Sequence, residues 1–521
     1  MNWLAKRLFW LSVAAGLAAA YWIAWRAPAV GTFHDDGIYA VTAKALAEGK
    51  GYRILSLPAE IVQTKYPILF PLALAAVWKL FPEFPNNVPL LKLVPLAFAL
   101  LWLVVVYRFA REHSLPRSSA MAVCLVTAAA PWTVYLSTAL LSETLFALCL
   151  TASLLYLRQT AEGTGKAGAQ TVFLSALFAA LAFLTRSIGL SLILAGFLFL
   201  WRQGHPRPAI GFVLVASLFS LPWLVWTKLA AGASAAADSY YSVANYQSWN
   251  ILFNFDLPQK LHIAGQNILM LILSPAAVLG WPMEGVFFAA AGVFGLWLIS
   301  GLIRQASALL KVFLAVYSGF VICWAWSPGR FVAPVLPLLL IPAARQLDRL
   351  PGTQRRVAFG LVLVILALSL GAASQRTLRL GDAMPALADG DGFDRLAGLM
   401  DWVSKRTSPQ SVLAGNLDPL YYLYTGRKAV RAFQADPYQL IYAQRGEPIG
   451  SPEQLLITLC RAGASYWIES PNSGFLEGKY LVTIQRFLHE HSPQRLPKLF
   501  ELGDRHRVYG LPCAAPGPAS Q

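Results

Sequence analysis

Charge is scarce in this chain. Only 13% of its 521 residues are Asp, Glu, Lys or Arg, and the acidic kind is the scarcer, 26 against 42 basic residues. With mean hydropathy +0.53 and repeated apolar runs of about 17 to 20 residues, so little charge excludes an ordinary soluble globule and leaves a multi-spanning membrane protein. Cysteine is nearly missing too. Cys124, Cys149, Cys323, Cys460 and Cys513 show no CxxC or metal-like spacing, and the first three lie in apolar runs, where they read as small core residues. Cys460 and Cys513 can pair if the tail is extracytoplasmic. No internal repeat or low-complexity linker stands out.

The formal charge of +16 is uneven, with +2 in residues 374–521 and +14 in the membrane part before them. Topology signals alone require Lys and Arg at span ends, so the high pI does not argue for nucleic acid, and no nucleic-acid partner is expected. Lys6 and Arg7 precede an apolar run that closes on Tyr21, Trp22 and Trp25. Ala18-Ala19-Ala20 offers a signal-peptide cleavage site, but the aromatic belt favours a retained anchor.

With a cytoplasmic N-terminus, the positive-inside rule predicts about eleven spans. They fall near 8–26, 88–107, 118–136, 140–157, 169–185, 188–203, 209–227, 285–303, 309–326, 330–347 and 357–373, with Arg108, Arg111, Arg117, Arg158, Arg202, Arg207, Arg304, Lys311, Arg345 and Arg355 inside. Pro67 to Phe81 is too short to cross and reads as a re-entrant or interfacial helix; Ala264 to Gly280 reads as a second non-crossing helix. The predicted fold is a polytopic helix bundle. It comprises residues 1–373, with a first outer loop at 27–87 and a second at 228–284 that carries DSYYSVANYQSWN. A small α/β extracytoplasmic domain follows at 374–521. In that tail SVLAGN, ASYWIES and HRVYGL read as strands, and FDRLAGLMDWVSKR, SPEQLLITLCRAG and GKYLVTIQRFLHEH as amphipathic helices.

Two adjacent carboxylates, Asp35 and Asp36 in GTFHDDGIYAVTAKALAEG, follow the first span directly. One of them can cap an amphipathic helix lying on the outer leaflet, with Ile38, Val41, Thr42, Ala45 and Leu46 on one face. The second acid needs another explanation. Glu143 sits at the outer start of a span, where an ionised carboxylate is expensive without a partner, and Lys65, Arg186 and Arg330 fall on the outer side against the charge trend. Each base taken singly reads equally well as an interfacial or snorkelling charge. Paired carboxylates suit deprotonation of an acceptor or binding of a divalent cation, with Asp35, Asp36 or Glu143 as ligands and His34 as a weak addition. Lys and Arg suit the phosphate of a lipid-linked leaving group. His489 and His491 read as a solvated face.

The stretches FHDDGIYAVTAKALAEGKGY, TKYPILFPLALAAVWKLF, SETLF, LAFLTRSIGL and GRFVAPVLPLLL, taken in order, resemble the GT-C class of membrane glycosyltransferases. The nearest branch is that of the protein O-mannosyltransferases and lipid A aminoarabinose transferases. The resemblance implies an inverting glycosyltransferase of the inner (cytoplasmic) membrane, with its active site and tail extracytoplasmic. The implied partners are a polyprenyl-phosphate-linked sugar donor and a lipid, glycan or protein acceptor. It implies Asp35 as the base or acceptor-orienting group with Asp36 beside it, Glu143 as the second outer acid, and Lys65, Arg186 and Arg330 as donor-phosphate contacts. His34 and Tyr39 fall to the substrate pocket. Asp35-Asp36 replaces the family's usual Asp-Glu, and Lys65-Tyr66-Pro67 its frequent Lys-Pro-Pro, which leaves subfamily and substrate open. The alternative from another class is a transporter or lipid flippase. Ionisable groups at span ends rather than the midplane argue against it.

Overall fold

A computed structural model describes residues 3–26, 30–163, 165–231, 257–324, 328–382, 393–432, 451–470, 477–491, 496–503 and 505–513. The segment DSYYSVANYQSWN lies outside them. In chain order the helices are α1 (Trp3–Arg26), α2 (Asp35–Ala47), α3 (Leu69–Leu80), α4 (Val88–Glu112), α5 (Arg117–Ala129), α6 (Pro131–Thr138), α7 (Glu143–Glu162), α8 (Gly165–Thr185), α9 (Leu190–Arg202), α10 (Pro206–Ala231), α11 (Leu257–Val278), α12 (Gly285–Gln305), α13 (Ala308–Ile322), the single turn α14 (Gly329–Val332), α15 (Leu336–Asp348) and α16 (Gly352–Asp382). Among the described residues seven helices are long and apolar enough to cross a membrane, or eight if α5 and α6 form one span. The eleven spans expected from the sequence therefore include segments that cannot cross as single ideal helices: α13 has 15 residues, and α9 with its leading turn covers Ser187–Arg202.

Two local differences have clear causes. The expected span at 118–136 bends by 65° at Ala130, whose ψ of 126° puts it in extended conformation before Pro131. Proline disfavours helical backbone at the residue before it, so the helix stops and restarts there. Conversely, the stretch expected as non-crossing lies in α11, which has 22 residues and an apolar length sufficient to cross. α3, at 12 residues, is too short, as expected.

The tail forms α17 (Phe393–Arg406), α18 (Asp418–Thr425), α19 (Pro452–Arg461) and α20 (Glu477–His491), with strands β1 (Val412–Gly415), β2 (Ala429–Arg431), β3 (Ala464–Glu469), β4 (Lys498–Leu502) and β5 (His506–Gly510). Strand order is β2-β1-β3-β5-β4. The β2-β1-β3 part is parallel and β5 and β4 are antiparallel additions. The three strands read from sequence are present; β2 and β4 are extra. Cys460 and Cys513 form a disulfide. Cys124 and Cys149 are buried as expected, whereas Cys323 at the end of α13 is exposed.

The α2 helix has no exposed apolar face of the kind expected from its spacing. Nine of its thirteen residues are buried, because α3 covers one side and the tail the other. Ile38 and Val41 of α2, with Ile54, Leu57 and Ile61 of the first loop, share one apolar cluster with Ala414, Val430, Trp467 and Tyr509 of the tail. Burying these side chains between loop and tail, at about 25 cal/mol per Å², is what fixes the tail on the loop. Polar contacts add direction: Ala429 N donates to Ser56 O (2.8 Å) and Lys428 pairs with Glu60 (2.5 Å).

Candidate active site

Four segments far apart in sequence bring their charges together at the start of α2. Arg330, on α14, donates from Nη1 to Asp35 Oδ2 and from Nε to Glu143 Oε1. Glu143 Oε1 also accepts from Arg186 Nη1 at 2.8 Å, and the same nitrogen reaches Ser142 Oγ at 3.1 Å. Tyr66 donates its hydroxyl to Asp35 Oδ1. Glu143 is 2% exposed, against 17% for Arg330 and 21% for Asp35, so the cluster opens on the Asp35 side. Phe33 lies under the Arg330 guanidinium at 4.8 Å and Phe331 near Arg186 at 5.5 Å, which shields both cations from water.

Burial raises the carboxyl of Asp35, but Arg330, His34 and Lys65 outweigh it and hold the group well below the usual carboxylate range. Lys65 thus acts on Asp35 through space; its Nζ lies 4.9 Å from the Tyr66 ring centre. Tyr39 is buried, bonds Ser142 Oγ at 2.8 Å and packs edge-on to Tyr66 at 5.1 Å, so it holds the two helices that carry Asp35 and Glu143.

Asp36 has a different environment. Its carboxylate accepts backbone N–H bonds from Gly31 (2.7 Å), Phe33 (3.1 Å) and Gly37 (2.9 Å). Neither acid is the helix cap: the N-cap is His34, which makes no side-chain cap bond. Asp36 instead fastens the loop that enters α2. Burial pushes its carboxyl up to about 6, against the pull of the Gly31 and Gly37 amides.

A cation would have to sit where Arg330 already joins Asp35 to Glu143, and Asp36 is committed to the backbone. Among the described residues no group of three or more His, Cys, Asp or Glu side chains forms a metal-ligand set. The donor set therefore does not fit the divalent cation considered from sequence. His489 and His491 are exposed, as expected of a solvated face.

Two charged residues that sequence reading passed over also belong here. Asp418, the first residue of α18, is fully buried and lies 3.5 Å from His34 Nε2. Lys92 is buried in α4 and faces Asp36 electrostatically. Lys92 had a signal, a lysine inside an apolar run; Asp418 had none beyond an Asp-Pro that reads as an ordinary helix start.

The fold is that of solved GT-C membrane glycosyltransferases. ArnT from Cupriavidus metallidurans in the apo state matches with TM-score 0.57 and 16% identity over 99% of this chain and 100% of that one. The same protein bound to undecaprenyl phosphate gives 0.58 at 16% identity, over 98% and 99%. AglB, the oligosaccharyltransferase from Archaeoglobus fulgidus, solved with an inhibitory peptide and a dolichol-phosphate, gives 0.51 at 11% identity, over 90% and 70%. No curated protein sequence matches the chain. The chain belongs to the Alg9-like mannosyltransferase family, whose model matches residues 59–399. It is thus a membrane glycosyltransferase.

Proposed function

We infer that the protein transfers a sugar from a polyprenyl-phosphate donor to a lipid, glycan or protein nucleophile, with inversion, at the extracytoplasmic face of the inner membrane. The observation that carries this is the cluster itself: Arg330 joins Asp35 to Glu143, Arg186 stands on the same Glu143 oxygen, and the group opens at Asp35, which is 21% exposed. Two guanidinium groups beside a partly open carboxylate suit a phosphate leaving group and a nucleophile to be oriented. Undecaprenyl phosphate in the matching ArnT structure supports the donor class.

In this reading an acceptor O–H or N–H attacks the anomeric carbon as its bond to the phosphate oxygen breaks. Polyprenyl phosphate leaves with the electron pair, and the acceptor proton passes to Asp35. An acid held this far down is a weak base, so Asp35 works chiefly by orienting the nucleophile and balancing positive charge at the anomeric carbon. Arg330, Arg186 and Lys65 take the phosphate charge; Glu143 keeps the two guanidinium groups in place. His34 and Tyr39 border the pocket, and Asp36 positions the loop. A largely apolar cavity of about 390 Å³ runs from Val332 and Tyr317, near α14, past Leu271, Pro275, Leu298 and Leu314 to Lys311, and supports a lipid chain whose one end approaches the cluster.

The domain assignment that goes with this is a catalytic unit of residues 1–373, with outer loops 27–87 and 228–284, and an extracytoplasmic domain of 374–521. The Cys460–Cys513 disulfide supports that side for the tail, because such bonds persist in oxidising compartments. The test is incubation of the purified chain in phospholipid nanodiscs with undecaprenyl-phosphate-linked hexoses and pentoses. Release of undecaprenyl phosphate is expected; movement of intact donor across a proteoliposome without bond cleavage overturns the reading in favour of a transporter.

A further inference from the structure

The tail reaches the reacting acid through one histidine. His34 has φ of +70°, a conformation that a non-glycine residue keeps only when its surroundings enforce it. Its ring lies between two carboxylates, with Nδ1 3.9 Å from Asp35 Oδ1 and Nε2 3.5 Å from Asp418 Oδ1. Asp418 in turn is held on three sides. Ser56 Oγ donates to its Oδ2 at 3.0 Å, Arg431 Nε lies 3.5 Å from its Oδ1, and it opens α18, whose next residues press on the loop around Asp35. A Cβ on Gly37 would lie 2.7 Å from Pro419 Cβ, and one on Gly31 2.8 Å from Leu420 Cβ, so the approach of α18 is as close as backbone permits.

We propose that Asp418 is a positioning residue for glycosyl transfer: it fixes the His34 ring, and the ring, together with Tyr66, fixes the Oδ1 side of the Asp35 carboxylate, whose Oδ2 Arg330 holds. The inference rests on the transferase reading above and assigns the tail a part in the catalytic step rather than in acceptor capture alone. Neither distance is a hydrogen bond of ordinary length, so the coupling is electrostatic and steric, with a buried carboxylate as its anchor. Arg330 holds Asp35 Oδ2 and Tyr66 bonds Oδ1; the histidine ring adds a restraint on the Oδ1 side.

The test uses the full chain in phospholipid nanodiscs with Asp418→Asn, His34→Gln and the double variant. Released undecaprenyl phosphate is read from undecaprenyl-phosphate-linked hexoses and pentoses. Each single variant is expected to lower kcat about 10- to 100-fold with donor KM within about twofold of wild type, as misplacement of a reacting group does. The double variant is expected to be no worse than the poorer single one, because both act on the same atom. Wild-type kcat in Asp418→Asn, or losses that multiply in the double variant, overturns the inference. If Asp418→Asn does not fold, Ser56→Ala, which frees Asp418 Oδ2 without touching the pocket, decides: a kcat loss at constant KM supports the relay and an unchanged kcat overturns it. A wild-type chain that releases nothing, together with silent variants, removes the transferase reading itself; an active wild type with a dead Asp35→Asn and an indifferent Asp418→Asn removes only this step.

Discussion

Arg330 pairs with Asp35 across 295 residues of chain, and through its Nε it joins that acid to Glu143 as well. One planar cation thus ties the entry of α2 to the entry of α7. Arg330→Lys keeps the charge and loses the fork, so it cannot serve both carboxylates at once. We expect transfer to fall about 100-fold and undecaprenyl phosphate to bind more weakly. Thermal unfolding should reveal a loss of roughly 1 to 3 kcal/mol from the partly unpaired buried acid. Wild-type phosphate affinity in this variant would remove Arg330 from the donor site.

The two neighbouring acids should differ in their pH response. Asp35 has a depressed carboxyl, so the stability it contributes is present above the unfolded value near 4 and is lost only as pH falls through its lower folded value. The stability difference between wild type and Asp35→Asn should therefore stay constant from pH 5 to 8. Asp36 has the opposite sign: raised to about 6, it favours the fold below about 4 and loses that contribution as pH rises through 6. Asp36→Asn should be most destabilising near pH 4, with its deficit shrinking by roughly 2 to 3 kcal/mol by pH 7.5. Melting curves at four pH values decide; parallel behaviour of the two variants contradicts the assignment.

Gly37→Ala tests the seating of the tail. The added methyl would meet Pro419 Cβ at 2.7 Å and Gly31 Cα at 2.9 Å, so α18 must shift. An overpacked contact of this kind costs about 1 to 3 kcal/mol, and it should raise proteolytic cleavage of the tail and lower transfer together. Faster cleavage with full activity would separate tail docking from catalysis.

The disulfide closes a separation of 53 residues. Cys460→Ser is expected to lower tail stability by about 2 to 4 kcal/mol while leaving the membrane helices inserted. Hydrogen exchange on the intact chain should show the loss in β3 and α19 first. Equal protection with and without the bond contradicts a stabilising role.

Much of the cluster was legible because charge is rare here. Lys65, Glu143, Arg186 and Arg330 stand out at span ends in an apolar chain, and the structure brings Glu143, Arg186, Arg330 and Asp35 into direct contact. The part of Asp36 was not legible for a physical reason: the sequence shows a second acid but not the three amides that bond it. Asp418 was invisible because its meaning arises only when α18 docks on the loop, and it is one of fourteen acids in residues 374–521. The bend at Ala130 was readable from Pro131 and was overridden by continuous hydropathy. The extra strands β2 and β4 are the two edge strands; β2 is three residues, all buried, and β4 reads Lys-Leu-Phe-Glu-Leu, so neither shows a strict apolar–polar alternation.

The most direct measurement compares wild type and Asp35→Asn, both folded in nanodiscs, for release of undecaprenyl phosphate from undecaprenyl-phosphate-linked hexoses and pentoses. Asparagine keeps the size of the side chain and removes the charge that orients the nucleophile. The expected result is a fall in kcat of about a thousandfold at nearly unchanged donor KM. A variant that turns over at the wild-type rate contradicts the assignment of this cluster as the site of glycosyl transfer.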